Sequence, residues 1–347
     1  MSTSDEDART TSVSFSIGPG DEIRHVNDDA VVAYDDALEA VGTGGVNHFI
    51  DPKRLVGFRS GGPSVWSVAT VPTQAGTLYL TYGFGEALDP ARAGCDFELS
   101  VLVPGPPAIW PALLLRALCR YMLGSGRALE IGQSMPFPDA ITRFFAPPHE
   151  RGNYPDTRMS GAVFAVDPRI PTIATAHGVV HVRRALGVFA DELELMELWS
   201  PAGFVDTFAS RDPQLVTDIG RRSAAEDAMV VARIEEGSRQ HGSGVGALAV
   251  PGIAWSSDDD GLKVTFPGGP HAKRIHRMVR ARLAFGRHLL VHDVDPQRPD
   301  AVVFEPADAL AFRNDGDTLV VSIPADHPLF DTFAQVGDGP SVRWTFE

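Results

Sequence analysis

The stretch from Tyr82 to Met122, YGFGEALDPARAGCDFELSVLVPGPPAIWPALLLRALCRYM, constrains this chain more than any other. In FELSVLV, Phe97, Leu99, Val101 and Val103 alternate with Glu98, Ser100 and Leu102, which is strand period with one buried face. VPGPPAIWP then interrupts regular structure, because proline fixes φ and removes a backbone donor. Pro111 falls in a first helical turn, where its missing N–H is tolerated. PALLLRALCRYML carries only Arg116 and Arg120 as charges, one turn apart on one face. A helix with so little polar surface is wrapped by protein nearly all round, and Gly124 and Gly126 end it.

Around that unit the chain divides by composition. Residues 1–25 are Ser-, Thr- and Asp-rich and are predicted to form a flexible acidic tail. Helical spacing starts at Asp28, with Val31, Val32, Tyr34, Leu38 and Val41 on one side. HFIDPKRLVGFRSGGPSVWSVATVPT and TLYLTYGF read as strand pieces, and GAVFAVDPRIP and HGVVHVRRALGVFA as further strands. DELELMELWSPAGFVDTFASRDP predicts two short helices, and PQLVTDIGRRS a strand running into a turn. A charged helix at 224–241 enters the Gly/Ser run HGSGVG, where the domain junction is expected. The predicted division is a mixed N-terminal domain at 26–236, a hinge and interdomain strand at 237–260, and a β-rich C-terminal domain at 261–347. The fold class is α+β, with a mixed or antiparallel sheet in the first domain.

Charge and cysteine content narrow the function classes. With 30 basic and 45 acidic residues the chain carries −15, which disfavours nucleic acid as a partner and leaves a cationic protein surface open. Two cysteines, Cys95 and Cys119, are too few for a disulfide scaffold and read as buried thiols. The N-terminus is acidic and polar, unlike a signal peptide, and no run approaches a membrane span, so a cytoplasmic protein without a membrane partner is expected.

Catalytic motifs are missing from the sequence. There is no G-x-S-x-G elbow, H-E-x-x-H, C-x-x-C or Walker loop. GSGVG at 242–246 lacks the third glycine of a dinucleotide turn and reads as a hinge. His288 and His292 have a metal-compatible spacing, yet GRHLLVHDV alternates like a strand. Asp191, Glu192, Glu194 and Glu197 read as the solvated face of a short helix around Leu193, Met196 and Trp199. In HAKRIHRMVRAR, Val279, Ala281 and Leu283 alternate with Arg280 and Arg282, which predicts an exposed strand face rather than a phosphate site. A hydrolase built on His181, Asp218 or His288 is the rival from another class.

YGFGE, a Phe-Glu-Leu strand, Pro-Pro-x-x-Trp-Pro and a helix ending Arg-Tyr occur here in an order that resembles the Suppressor of fused family. HGVVHVRRALGV, LVTDIGRRS, ARIEEGSRQHGSGVGALAVPGIAW and RARLAFGRHLLVH continue the likeness over roughly residues 35 to 295. The resemblance implies a two-domain binding scaffold with no catalytic activity and no cofactor. Animal members hold Gli transcription factors by adding a peptide strand between the domains. Bacterial relatives act as immunity proteins that neutralise a toxin, which is the expected role here, with a regulatory scaffold as the alternative. Carried over residue by residue, the partner site comprises Tyr121, Gln133, Val166, Val250, Arg287 and His288. Gln133 and Val166 stand where the animal branch has acids, so the animal ligand is not expected to fit.

Overall fold

The computed structural model describes residues 28–49, 67–82, 96–125, 127–175, 178–258, 261–295, 297–298, 300–335 and 342–346. The predicted tail, Cys95 and most of the YGFGE motif lie outside the described residues. The first half contains α1 (Asp28–Val41), β1 (Asn47–Phe49), β2 (Ser67–Thr73), β3 (Gly76–Tyr82), β4 (Phe97–Val103) and α2 (Ile109–Ser125). Next come β5 (Ser134–Pro136), β6 (Met159–Val166), β7 (Thr172–Thr175), β8 (Gly178–Phe189), α3 (Ala190–Leu198), α4 (Pro201–Ala209) and α5 (Ala228–His241). The remainder is β9 (Ala247–Val250), β10 (Ala254–Asp258), β11 (Gly261–Phe266), α6 (Gly269–Leu283) and β12 (Leu289–Asp293). It closes with β13 (Ala301–Pro306), β14 (Ala311–Asp315), β15 (Thr318–Ile323), α7 (Asp331–Gln335) and β16 (Val342–Phe346).

The class is α+β, as the strand and helix signals predict. One sheet runs β1-β2-β3-β4-β8-β6-β5, with β7 also on β8; a second runs β14-β15-β13-β12-β9; a third is β10-β11-β16. Pairing is antiparallel except at β4–β8, β9–β12 and β13–β15. The first sheet is covered on both faces, so β4 is buried along its whole length rather than on one face. Phe97, Leu99, Val101 and Val103 meet Leu114, Leu115 and Leu118 of α2. Across the sheet, Leu102 packs in a cluster with Tyr34 and Leu38 of α1, while Val163, Leu186 and Val188 meet Met196 and Phe204 of α3 and α4.

The polar residues on that second face of β4 are therefore buried, and each has a partner. Glu98 accepts from the Tyr34 hydroxyl at 2.9 Å and the Thr81 hydroxyl at 2.5 Å. Burial, and then Glu98 beside it, push the Tyr34 hydroxyl pKa up. Ser100 donates to Asp167, which pairs with Arg184 at 2.7 Å, both side chains being fully buried.

Three predicted elements differ. HAKRIHRMVRAR is helix α6, whose buried face carries Ala272, Ile275, Met278, Val279, Arg282 and Leu283. Residues 213–223 form no strand; Thr217 instead donates its N–H to the Leu102 carbonyl at 2.7 Å and accepts the Gly187 N–H at 2.9 Å. The acids of α3 are not all solvated. Glu192 is buried, accepting the Phe189 and Ala224 N–H groups and pairing with Arg221. Glu197 is held by Arg274.

Leu118 is buried inside α2 while Ile109, at the start of the same helix, is 48% exposed. Leu118→Ala should cost about 2–5 kcal/mol, read as a lowered melting temperature, and Ile109→Ala far less. Equal losses would mean that the buried face of α2 is wrongly assigned.

Candidate functional site

Helix α3 touches β5, β6 and β8 of the first sheet and also α6. Among the described residues, strand β9 has β12 as its only strand neighbour. The Gly246 carbonyl accepts from Leu290 N–H and the Val250 carbonyl from Val294 N–H, so 246, 248 and 250 turn their backbone toward β12. By the alternation of a parallel ladder, Ala247 and Ala249 turn theirs to the open edge. Arg274 Nη1 donates to the Ala249 carbonyl at 3.3 Å, as that geometry requires. Val250 is thus corrected: its side chain lies in the core and its backbone faces β12, so Ala247 and Ala249 are the residues whose backbone faces outward.

At the other edge, β5 pairs only with β6 among the described residues. Phe164 N–H donates to the Gln133 carbonyl and Phe137 N–H to the Ser160 carbonyl, leaving Ser134 and Pro136 on the open side. Proline is compatible with an edge because its missing N–H faces away from the ladder.

Gln133 and Val166 lie toward one end of this sheet, and Tyr121 lies near the C-terminal end of α2. Helix α2 leaves the C-terminal end of β4 and packs back along it, so Met122 joins Phe97 and Leu129 in one cluster. Tyr121, one residue earlier, is 42% exposed. Val166 lies two residues beyond the Phe164 that pairs with Gln133, and is 47% exposed. Beside it in register is Arg183, whose guanidinium stacks 3.5 Å over Phe97. Arg183 donates to the Leu129 carbonyl at 2.6 Å and meets Glu130 at 3.1 Å, so an acid rims this end although Gln133 and Val166 are neutral.

Arg287 and His288 are exposed at the other end of the molecule's chain order, directly before β12. The catalytic rival is not assembled. His181 lies opposite Phe97 at the start of β4, and Asp218 follows Thr217, which bonds to Leu102 near its end. Five strand residues separate them, about 15 Å. Asp218 accepts the Gly220 N–H, and among the described residues no His/Cys/Asp/Glu group could hold a metal ion. No described helix is long and apolar enough to cross a membrane. Arg183 and Ala249 were missed in the sequence; an arginine pair inside an apolar strand, HVRRALGV, was the available signal for Arg183.

The connection between α5 and β9 is fixed by its backbone. Ser243 N–H donates to Ala281, its hydroxyl to Glu197, and Gly244 N–H to Trp199. Trp199 in turn fits between α4 and α5 because Gly203 and Gly237 leave room: a Cβ at either would lie 2.5 Å or 2.3 Å from its ring. Brief subtilisin digestion of the native protein should therefore leave residues 242–246 uncut. Early cleavage there would show that the connection opens.

Comparison with known proteins agrees with this architecture. A family model described as Suppressor of fused protein (SUFU) matches residues 63–222. The Suppressor of fused homolog of Homo sapiens is 22% identical over 264 residues, covering 69% of this chain and 52% of that protein. The Mus musculus homolog is 21% identical over the same length and shares. The chain thus spans about half the length of the curated relatives it matches. The crystal structure of Drosophila Suppressor of Fused has a similar fold, with TM-score 0.56 and 15% identity over 89% of this chain and 92% of that one. By the matched segment and the order of its motifs, this chain is similar to the Suppressor of fused family.

Proposed function

We propose that this chain is a non-catalytic scaffold that binds an extended segment of another protein as an added strand, and that its partner is a protein toxin which it neutralises. The observation that carries the reading is the outer edge of β9, where the backbone of Ala247 and the N–H of Ala249 turn away from β12 while Arg274 holds the Ala249 carbonyl. Strand addition at such an edge takes its affinity from main-chain hydrogen bonds and its specificity from flanking side chains. The exposed apolar residues Tyr121, Ile131 and Val166 supply flanking surface. The net charge of −15 favours a cationic partner and faster encounter with it. Toxin neutralisation follows the bacterial members that the chain resembles, and the regulatory role of animal members is the less favoured use of the same edge.

The test uses the product of the neighbouring reading frame as the partner, with affinity measured by calorimetry. Ala249→Pro removes the outward N–H without breaking the β9–β12 ladder, since proline is tolerated on an edge. It should weaken binding about tenfold, the scale of one lost hydrogen bond, with little change in melting temperature. Tyr121→Ala should weaken it by about 1–2 kcal/mol if the aromatic is an anchor. Full affinity in a stably folded Ala249→Pro variant would move the interface away from β9.

A further inference from the structure

We propose that Arg282 and Arg287 form a receptor for a carboxylate carried by the bound protein, placed where the chain enters β9. Arg282 is only 6% exposed and lies on the core-facing side of α6. Its Nε donates to the His288 carbonyl at 2.5 Å and its Nη1 to the Ser243 carbonyl at 2.8 Å. Arg287 Nη1 donates to that same Ser243 carbonyl at 2.9 Å. Two guanidinium groups therefore converge on one neutral acceptor, and among the described residues neither has a carboxylate within ion-pair distance. Glu197 accepts the Ser243 hydroxyl through its main chain and is occupied by Arg274 at its carboxylate.

The rest of α6 behaves otherwise. Arg274, Arg277 and Arg280 each face an acid, Glu197, Glu194 and Asp331. In a chain with fifteen excess negative charges, the nearly buried Arg282 is the arginine of α6 with no counter-ion among the described residues. Burial first, and Arg287 second, lower the Arg282 pKa, the direction expected of a cation held without an anion. Both Nη2 hydrogens and one on Nη1 remain undonated, an array that suits a two-oxygen planar acceptor. Gly246 leaves Nη2 open. A Cβ there would sit 3.4 Å from it, although the backbone at Gly246 is not in the left-handed region that demands glycine. The following residues, Ala247 to Val250, are β9 itself, so a carboxylate bound here would anchor a strand added to that edge.

The inference deepens the strand-addition reading, yet its test needs neither strand nor partner. Thermal melts of the full chain are recorded in sodium acetate and in sodium chloride at equal ionic strength. A rise of a few degrees that saturates with acetate, absent in chloride, is expected for the wild type. Arg287→Gln, at an exposed position, should lose it, and Gly246→Ala should reduce it. Arg277→Gln, on the same helix but already paired, should keep it. A rise of equal size in all variants, or none specific to acetate in the wild type, would overturn the proposal. So would a response to sulfate that exceeds the response to acetate, because the fork geometry is planar. Should Gly246→Ala melt early in chloride, Arg287→Gln alone decides. Replacing acetate by acetyl-trialanine or by acetyl-Ala-Asp-Ala-amide then tells a chain terminus from a side chain, and either response supports the receptor. An acetate response with no loss of partner binding in Ala249→Pro would retain the receptor and remove the strand.

Discussion

The first sheet depends on one buried charge pair. Arg184 donates to Asp167 through Nε and Nη2, to Ser100 through Nε, and to the Gln214 and Leu215 carbonyls through Nη1. Asp167 meanwhile accepts the Arg169 and Ile170 N–H groups, fixing the turn after β6. One guanidinium thus ties β4, β6, β8 and the 212–217 loop together. A buried pair is poor evidence of net stability, since apolar replacements of similar shape are often as stable. Its consequence is geometric: removing one partner would leave an uncompensated charge, at a cost of about 3–5 kcal/mol. Alternative registers of β8 meet that same penalty.

Register matters here because Arg183 and Arg184 are adjacent and point to opposite faces. Arg184 enters the polar centre of the sheet, while Arg183 lies on the α2 face over Phe97 with Leu129 and Glu130. A one-residue slip in β8 would exchange these environments and turn Leu186 and Val188 away from α3 and α4. The buried pair therefore also positions the rim beside Val166 and Gln133. Core and candidate interface are specified by consecutive residues of one strand.

How much of this was legible in the sequence follows from which residues occupy each face. The β4–α2 unit could be read because its apolar spacing agrees with both local structures, and Pro111 sits where a helix starts. The second buried face of β4 could not, since Glu98 and Ser100 look like solvent-facing residues until Tyr34, Thr81 and Asp167 are brought to them by the fold. The 213–223 segment has strand composition but bonds to β4 and β8 through single contacts, which no local pattern reports. At the proposed partner site, the choice of Tyr121, Gln133 and Val166 came from family likeness. The open backbone of β9 is a matter of ladder parity, invisible without its neighbour β12.

The misreading of α6 has a cause that bears on function. Ala272, Ile275, Met278, Val279 and Leu283 have helical spacing, and the same face also carries Arg282. A charge on the core stripe breaks the helical pattern and leaves Val279, Ala281 and Leu283 looking like a strand alternation. Placing an arginine there forfeits an apolar contact and requires acceptors inside the protein. The fold supplies two carbonyls, Ser243 and His288, but no anion among the described residues. A residue that lowers local consistency without a full set of partners marks a position maintained for something other than folding. The same arginine that hid the helix holds the connection into β9 and faces the gap at Gly246. Edge, connection and cation thus meet at one place, and a partner segment that supplied both a strand and a carboxylate would satisfy all three.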